Sequence, residues 1–253
     1  MISVVLLGAG NVGTHLYRVF IKAKNVNLVQ WYNRSLDHIY AYQNSVDITD
    51  NLNDLVVADV YIIAVSDDSI AQLSKQLPFK DRLVAHTSGS LHFRHMGQNN
   101  RRAVFYPLQT FSKHRDIDFS QVPICIESTN KSDLDLLANL AKALNCKSVI
   151  IDTEQRQVIH LAAVFANNFV NQLYRVAHEI TDNKGVEFDI LKPLILETAL
   201  KVQEMSPFIA QTGPAKRNDK KTIKRHLKLI ENQHHEAIYQ LLTESIKKTH
   251  GIK

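Results

Sequence analysis

Gly8-Ala9-Gly10-Asn11-Val12-Gly13 comes directly after the apolar run Ile2-Ser3-Val4-Val5-Leu6-Leu7, and that order decides the fold. The run is short, β-branched and closed by glycine, which reads as a buried parallel strand. Around and beyond Gly13, apolar residues recur at helical spacing: Val12, Leu16, Val19, Phe20 and Ala23. A G-x-G-x-x-G between a strand and a helix is the context that makes this pattern a dinucleotide site. Gly8 permits the tight turn, Gly10 lets the backbone approach a pyrophosphate, and Gly13 lets helix and strand pack closely. The helix N-terminus adds unpaired N–H groups and positive dipole for the phosphates.

The second strand reads as Asn27-Leu28-Val29-Gln30-Trp31-Tyr32, and Asn33-Arg34-Ser35 comes next. This is the point, roughly twenty residues past the glycines, where an NAD-specific fold carries an acidic residue for the ribose hydroxyls. No carboxylate stands here. Arg34 instead suits stacking on adenine and pairing with a 2′-phosphate, with Asn33 and Ser35 as hydrogen-bond donors. Asn-Arg-Ser is also ordinary for a solvated turn, but its position favours an NADP(H) site.

Residues 1–152 alternate strands and helices, which implies a doubly wound, mostly parallel Rossmann sheet. Further strands are expected near Val46–Ile48, Val60–Val65, Leu83–His86, Ala103–Tyr106, Pro123–Glu127 and Ser148–Ile151, with a helix at Leu134–Leu144 before the last. Residues 153–253 show helical spacing throughout and form an all-α C-terminal domain. Its helices are expected at about 154–183, 188–205, 219–231 and 234–248, with Pro207, Gly213 and Pro214 in the intervening loop.

Composition narrows the function classes. The 253 residues carry a formal net charge of +5 and two cysteines, Cys125 and Cys146, without metal-ligand spacing. No apolar run is long enough to span a membrane, and Met1 leads straight into the first strand, leaving no room for a signal peptide. The expectation is a cytoplasmic protein with reduced core thiols. Basic residues cluster at Lys216, Arg217, Lys220, Lys221, Lys224, Arg225 and Lys228. A solvated helix face or an anion site explains them better than nucleic acid, because no aromatic interleaving or nucleic-acid module accompanies them.

Ligands of such sheets lie beyond the carboxyl ends of the strands, and four groupings qualify. The backbone of Ala64-Val65-Ser66-Asp67 would line the cofactor's ribose and phosphates. His86-Thr87-Ser88-Gly89-Ser90 closes the fifth strand; it reads either as a ligand-free turn or as hydroxyl donors near the nicotinamide. Tyr106 and Gln109, around Pro107, face the cleft or simply pack. On the long helix Leu161, Phe165, Phe169, Val176 and Ile180 form a core stripe, and His160, Asn167 and Asn171 line up opposite at i, i+7 and i+11. His160 is there a satisfied core histidine or a general acid/base. Further on, Thr212, Arg217 and Asp219 mark a loop entering a helix; Asn218 or Asp219 is the cap, and Arg217 suits a carboxylate or phosphate.

Taken together, the segments GAGNVG (8–13), HTSGS (86–90), FYPLQTF (105–111), HLAAVFANNF (160–169) and TGPAKRND (212–219) resemble the Rossmann-like NADP oxidoreductases with a helical C-terminal domain. That family is related to pyrroline-5-carboxylate reductase, the deazaflavin-dependent NADP oxidoreductases and the 6-phosphogluconate dehydrogenase-like proteins. The resemblance spans essentially the whole chain. It implies cofactor contacts at Gly8, Gly10, Asn11, Val12, Gly13, Asn33, Arg34, Ala64, Val65 and Ser66. It implies a reaction site with His86, Ser88, His160, Asn168, Thr212, Arg217 and Asp219, and dimerisation through the helical domain. Many relatives carry His in place of Tyr106 and Gly in place of Asn218. The hydroxyacid branch uses a Lys on the first long helix, and no Lys occurs here between Gln155 and Tyr174. The expected activity is hydride transfer between NADP(H) and a small anionic carbonyl or imine compound in an interdomain cleft. His160 would exchange the proton, while Ser88 and a backbone N–H of the His86–Ser90 turn stabilise charge on the substrate. A non-catalytic NADP(H)-binding sensor or assembly protein is the alternative.

Overall fold

The computed structural model describes residues 1–252, which form two compact units, residues 1–167 and residues 168 onward. The first unit is built on eight strands: β1 (Ile2–Leu7), β2 (Val26–Tyr32), β3 (Asp47–Thr49), β4 (Val60–Ile63), β5 (Leu83–His86), β6 (Arg101–Pro107), β7 (Ile124–Ser128) and β8 (Ser148–Ile150). They lie in the order β3-β2-β1-β4-β5-β6-β7-β8. Every neighbouring pair is parallel except β6 and β7. The direction of winding reverses between β1 and β4, the place where such sheets bind ligands.

Both faces of the sheet are covered, which explains why the central strands read as unbroken apolar runs. Side chains alternate between the faces. Val4, Leu6, Ile62, Ala85 and Phe105 share one core with Leu16 and Phe20 of α1 (Asn11–Phe20) and Leu137 and Leu140 of α3 (Lys131–Ala143). Val5, Leu7, Tyr61, Ile63, Val84, Val104 and Tyr106 share the other with Ile70 of α2 (Asp67–Gln76), and Ile159 of α4 (Thr153–Ala163) packs against it. Trp31, fully buried, stacks on Tyr17 at 4.5 Å and donates from Nε1 to the Gly8 carbonyl at 2.9 Å. The second strand is thereby tied to the glycine turn.

Helix α4 is fastened to the sheet by its own chemistry. Asp152 and Gln155 form a reciprocal capping box at its start. One turn on, the fully buried Arg156 pairs with Glu127 of β7 and donates to the Leu91 carbonyl at 2.6 Å. The expected uninterrupted helix then differs from the one observed. Val164–Phe169 is π-helical, and the two units divide within it, between Asn167 and Asn168. The wider π turn shifts the phase of the residues beyond it, so the alignment of Asn167 and Asn171 with His160 drawn from 3.6-residue periodicity does not carry through.

The second unit holds α5 (Val170–Asp182), a 3₁₀ turn at Phe188–Leu191, α6 (Lys192–Glu204), the short α7 (Pro207–Ala210), α8 (Lys220–Leu229) and α9 (Gln233–Thr249). The apolar stripe expected to be core is largely not. Leu161 and Phe165 are 60% and 61% exposed, and Phe169 and Ile180 are exposed too, whereas Val176 is buried. Among the described residues, no helix is long and apolar enough to cross a membrane.

Candidate functional site

The glycine turn is shaped by close approach. Gly8 has φ +111°, and a Cβ on it would lie 2.4 Å from the Ala64 carbonyl oxygen. A Cβ on Gly13 would lie 2.3 Å from the Gly8 carbonyl oxygen, so the helix cannot seat on the strand with a larger residue there. Gly10 differs: nothing lies within 4 Å of where its Cβ would stand. It is also the N-cap of α1 and brings no side-chain cap. The first N–H groups of α1, from Asn11 and Val12, therefore open onto free space, the arrangement that receives a pyrophosphate. The residues present fit a dinucleotide.

At the end of β2, Asn33 braces its turn. Its N–H donates to the Thr49 carbonyl at 3.0 Å, and its side-chain amide donates to the Ser35 carbonyl at 2.7 Å. Arg34 projects into solvent and makes no salt bridge among the described residues. Beyond β4, Ala64 is buried while Ser66 and Asp67 are exposed. Asp67 accepts a 2.5 Å hydrogen bond from the Ser90 hydroxyl, which joins this turn to the one after β5.

That second turn is closely specified. His86 is fully buried, and its Nδ1 accepts the Ser88 N–H at 3.1 Å. Burial, and after it the nearby Arg156 guanidinium, pushes its pKa down to about 3. His86 is therefore a neutral brace at neutral pH. Ser88 Oγ accepts the N–H groups of Ser90 and Leu91 at 3.1 and 2.9 Å. With both lone pairs occupied, its hydroxyl can only donate, and Ser90 Oγ at 3.5 Å is the acceptor it meets in this structure. Thr87 N–H goes to the Ile63 carbonyl, so Gly89 keeps the one backbone N–H between Thr87 and Ser90 that is unengaged among the described residues.

His160 completes the arrangement within the first unit. Its Nδ1 lies 3.1 Å from the Tyr106 hydroxyl. Gly89 fits against both rings: a Cβ there would fall 2.5 Å from His160 Nδ1 and 2.8 Å from Tyr106 Cζ. Ser88, Gly89, Tyr106 and His160 thus meet at the carboxyl ends of β5 and β6, on the same edge of the sheet as the glycine turn. His160 is partly exposed.

The remaining expected residues belong to the second unit. Asn168 is exposed in the π turn. Thr212 and Arg217 are exposed around Gly213, and Asn218 takes the left-handed φ of +54°. Asp219 caps α8, its carboxylate accepting the Thr222 N–H at 3.0 Å, and this bond lowers its pKa. Sequence reasoning underrated Tyr106, which reads as packing at an aromatic strand exit, and missed the Asp67–Ser90 link. Gly89 between Ser88 and Ser90 in HTSGS gave the available signal, since a glycine at such a turn marks a place where other groups can approach closely.

Comparison with known proteins bears on the family and the fold. Residues 122–246 match the family described as a domain of unknown function, DUF2520. No curated protein matches the sequence. Among solved structures, a Bacteroides fragilis protein provisionally assigned as an NADP oxidoreductase is 36% identical, with 98% of each chain covered and a TM-score of 0.88. 1-Pyrroline-5-carboxylate reductase of Streptococcus pyogenes shares the fold at 12% identity, with 99% of each chain covered and a TM-score of 0.66. So does the imine reductase of Myxococcus stipitatus in complex with NADP+, at 15% identity, 98% and 96% coverage and a TM-score of 0.66.

Proposed function

The chain belongs to the family of the Bacteroides fragilis protein provisionally assigned as an NADP oxidoreductase, and we propose that it transfers hydride between NADP(H) and a small carbonyl or imine compound. The placement of His160 carries the reading. It sits at the sheet edge where the glycine turn opens, against Gly89 and beside a serine hydroxyl that can only donate. Gly8, Gly10, Asn11, Val12 and Gly13 would hold the pyrophosphate, with Ala64, Val65 and Ser66 along the ribose and Arg34 at the 2′-phosphate. NADPH, when bound there, supplies the hydride.

The chain's own residues handle charge and the proton. The Ser88 hydroxyl and the Gly89 N–H donate to the oxygen or nitrogen on which negative charge develops. His160 presents its Nε2–H to that atom and, as imidazolium, gives it that proton, which leaves the ring protonated on Nδ1 against the Tyr106 oxygen; proton exchange with water then restores Nε2–H.

The test is NADPH oxidation, monitored by absorbance, against keto acids, cyclic imines and deazaflavin. His160→Asn keeps a hydrogen-bonding side chain without a titrating group. The expected outcome is a kcat lower by about 10²–10⁴-fold with NADPH affinity unchanged. Tight NADPH binding with no turnover of any compound would instead favour a sensor.

A further inference from the structure

Tyr106 lies on β6 opposite Cys125 of β7, one residue before Pro107, and is 9% exposed. Its ring meets that of His160 edge to face, with centroids 6.0 Å apart and planes at 72°. The hydroxyl reaches His160 Nδ1 at 3.1 Å and makes no other hydrogen bond among the described residues. Burial, and secondly Cys125, push the phenol's pKa up to about 12; Arg156 and Asp67 act on it in opposite senses. The phenol therefore keeps its proton at neutral pH. A buried O–H needs an acceptor, and Nδ1 is the one it meets. Were Nδ1 protonated in the neutral ring, the phenol would accept from it and its own proton would be left without a partner.

We infer that Tyr106 is a positioning residue for His160, its hydroxyl donating to Nδ1 so that neutral imidazole carries its proton on Nε2, the nitrogen left to meet a substrate. When the ring gains a second proton, Nδ1–H must donate to the same oxygen and the phenol's proton loses its acceptor, so the contact favours the neutral Nε2–H ring. Phenylalanine would keep the volume of the side chain and lose that preference. The catalytic consequence rests on the role proposed for His160; the tautomer itself does not.

The experiment is long-range ¹H–¹⁵N correlation on the full-length protein labelled in its histidines, with and without NADP+. The His160 signals are assigned by their loss in His160→Asn. The wild type is expected to show the Nε2–H pattern for neutral His160, and Tyr106→Phe a mixture of tautomers. Kinetically, Tyr106→Phe should lower kcat about tenfold, the worth of one hydrogen bond, with KM little changed. An Nδ1–H pattern in the wild type overturns the inference without any variant of Tyr106 having to fold. So does an unchanged pattern in Tyr106→Phe. The expected patterns in a protein that turns over none of the compounds tested with NADPH would uphold the positioning and reject the catalytic reading.

Discussion

Arg34 stands exposed after β2 with no carboxylate within salt-bridge distance among the described residues, while Asn33 beside it spends its amide on its own turn. The guanidinium is the one strong anion partner where a 2′-phosphate would arrive, since Ser35 contributes only a neutral hydroxyl. NADP(H) is therefore expected to bind more tightly than NAD(H). Arg34→Asp should weaken NADP(H) binding by about 1.5–3 kcal/mol, the range for a hydrogen bond to a charged group, and leave NAD(H) binding nearly unchanged. Titrating both nucleotides against both proteins measures this, and equal affinities in the wild type would refute it. Much at this scale is written in local sequence: the glycines, the absent acidic residue after β2, and the left-handed Asn218. The pairing of Tyr106 with His160 is not, because it joins residues 54 positions apart through the register of β5 and β6 and the seating of α4. Local patterns carry no record of that.

The elements were legible where one periodicity dominates. Each strand lies close to its expected apolar run, and the antiparallel β7 is the one departure from a parallel sheet. Helix α4 begins at a capping box whose residues, Asp152 and Gln155, are visible in the sequence. The π turn beyond it was not, since an added residue per turn leaves hydrophobic spacing ambiguous in an all-apolar stretch such as Leu161–Ala166. The end of β5 carries a consequence for stability. His86 is buried neutral with a pKa of about 3, against 6.5 for an unperturbed histidine. Below pH 6.5 the unfolded chain binds a proton there that the folded chain does not. Its contribution is thus complete above pH 6.5 and lost as the pH falls toward 3, by up to about 1.4 kcal/mol per pH unit. His86→Asn keeps an acceptor for the Ser88 N–H and removes the titration. Denaturant unfolding of both proteins between pH 7 and 4.5 should show a slope against pH that is shallower in the variant by about one proton. Parallel slopes would mean that His86 is hydrated in the folded state.

At the scale of the whole molecule, the helices beyond residue 150 expose many large apolar side chains. Ile190, Ile209 and Leu241 are 71%, 66% and 68% exposed, and Leu161, Leu194 and Leu196 are similarly uncovered. Single exposed leucines are ordinary, but so many along successive helices are what an interface exposes when its partner is absent. Burial of each such side chain is worth about 1.5–3 kcal/mol, a large sum against the marginal stability of a small helical unit. We propose that a second copy of the chain covers this surface, forming a homodimer through α5, α6 and α9. A two-fold pairing presents the same patch from both sides, so the match of apolar to apolar needs no second surface. Light scattering at micromolar concentration should give twice the chain mass. Leu241→Lys with Leu194→Lys should shift the protein toward monomer and lower its thermal midpoint, while the sheet unit keeps its glycine turn intact. A wild type that is monomeric across that concentration range would remove the proposal, leaving the exposed helices as the surface for a different partner.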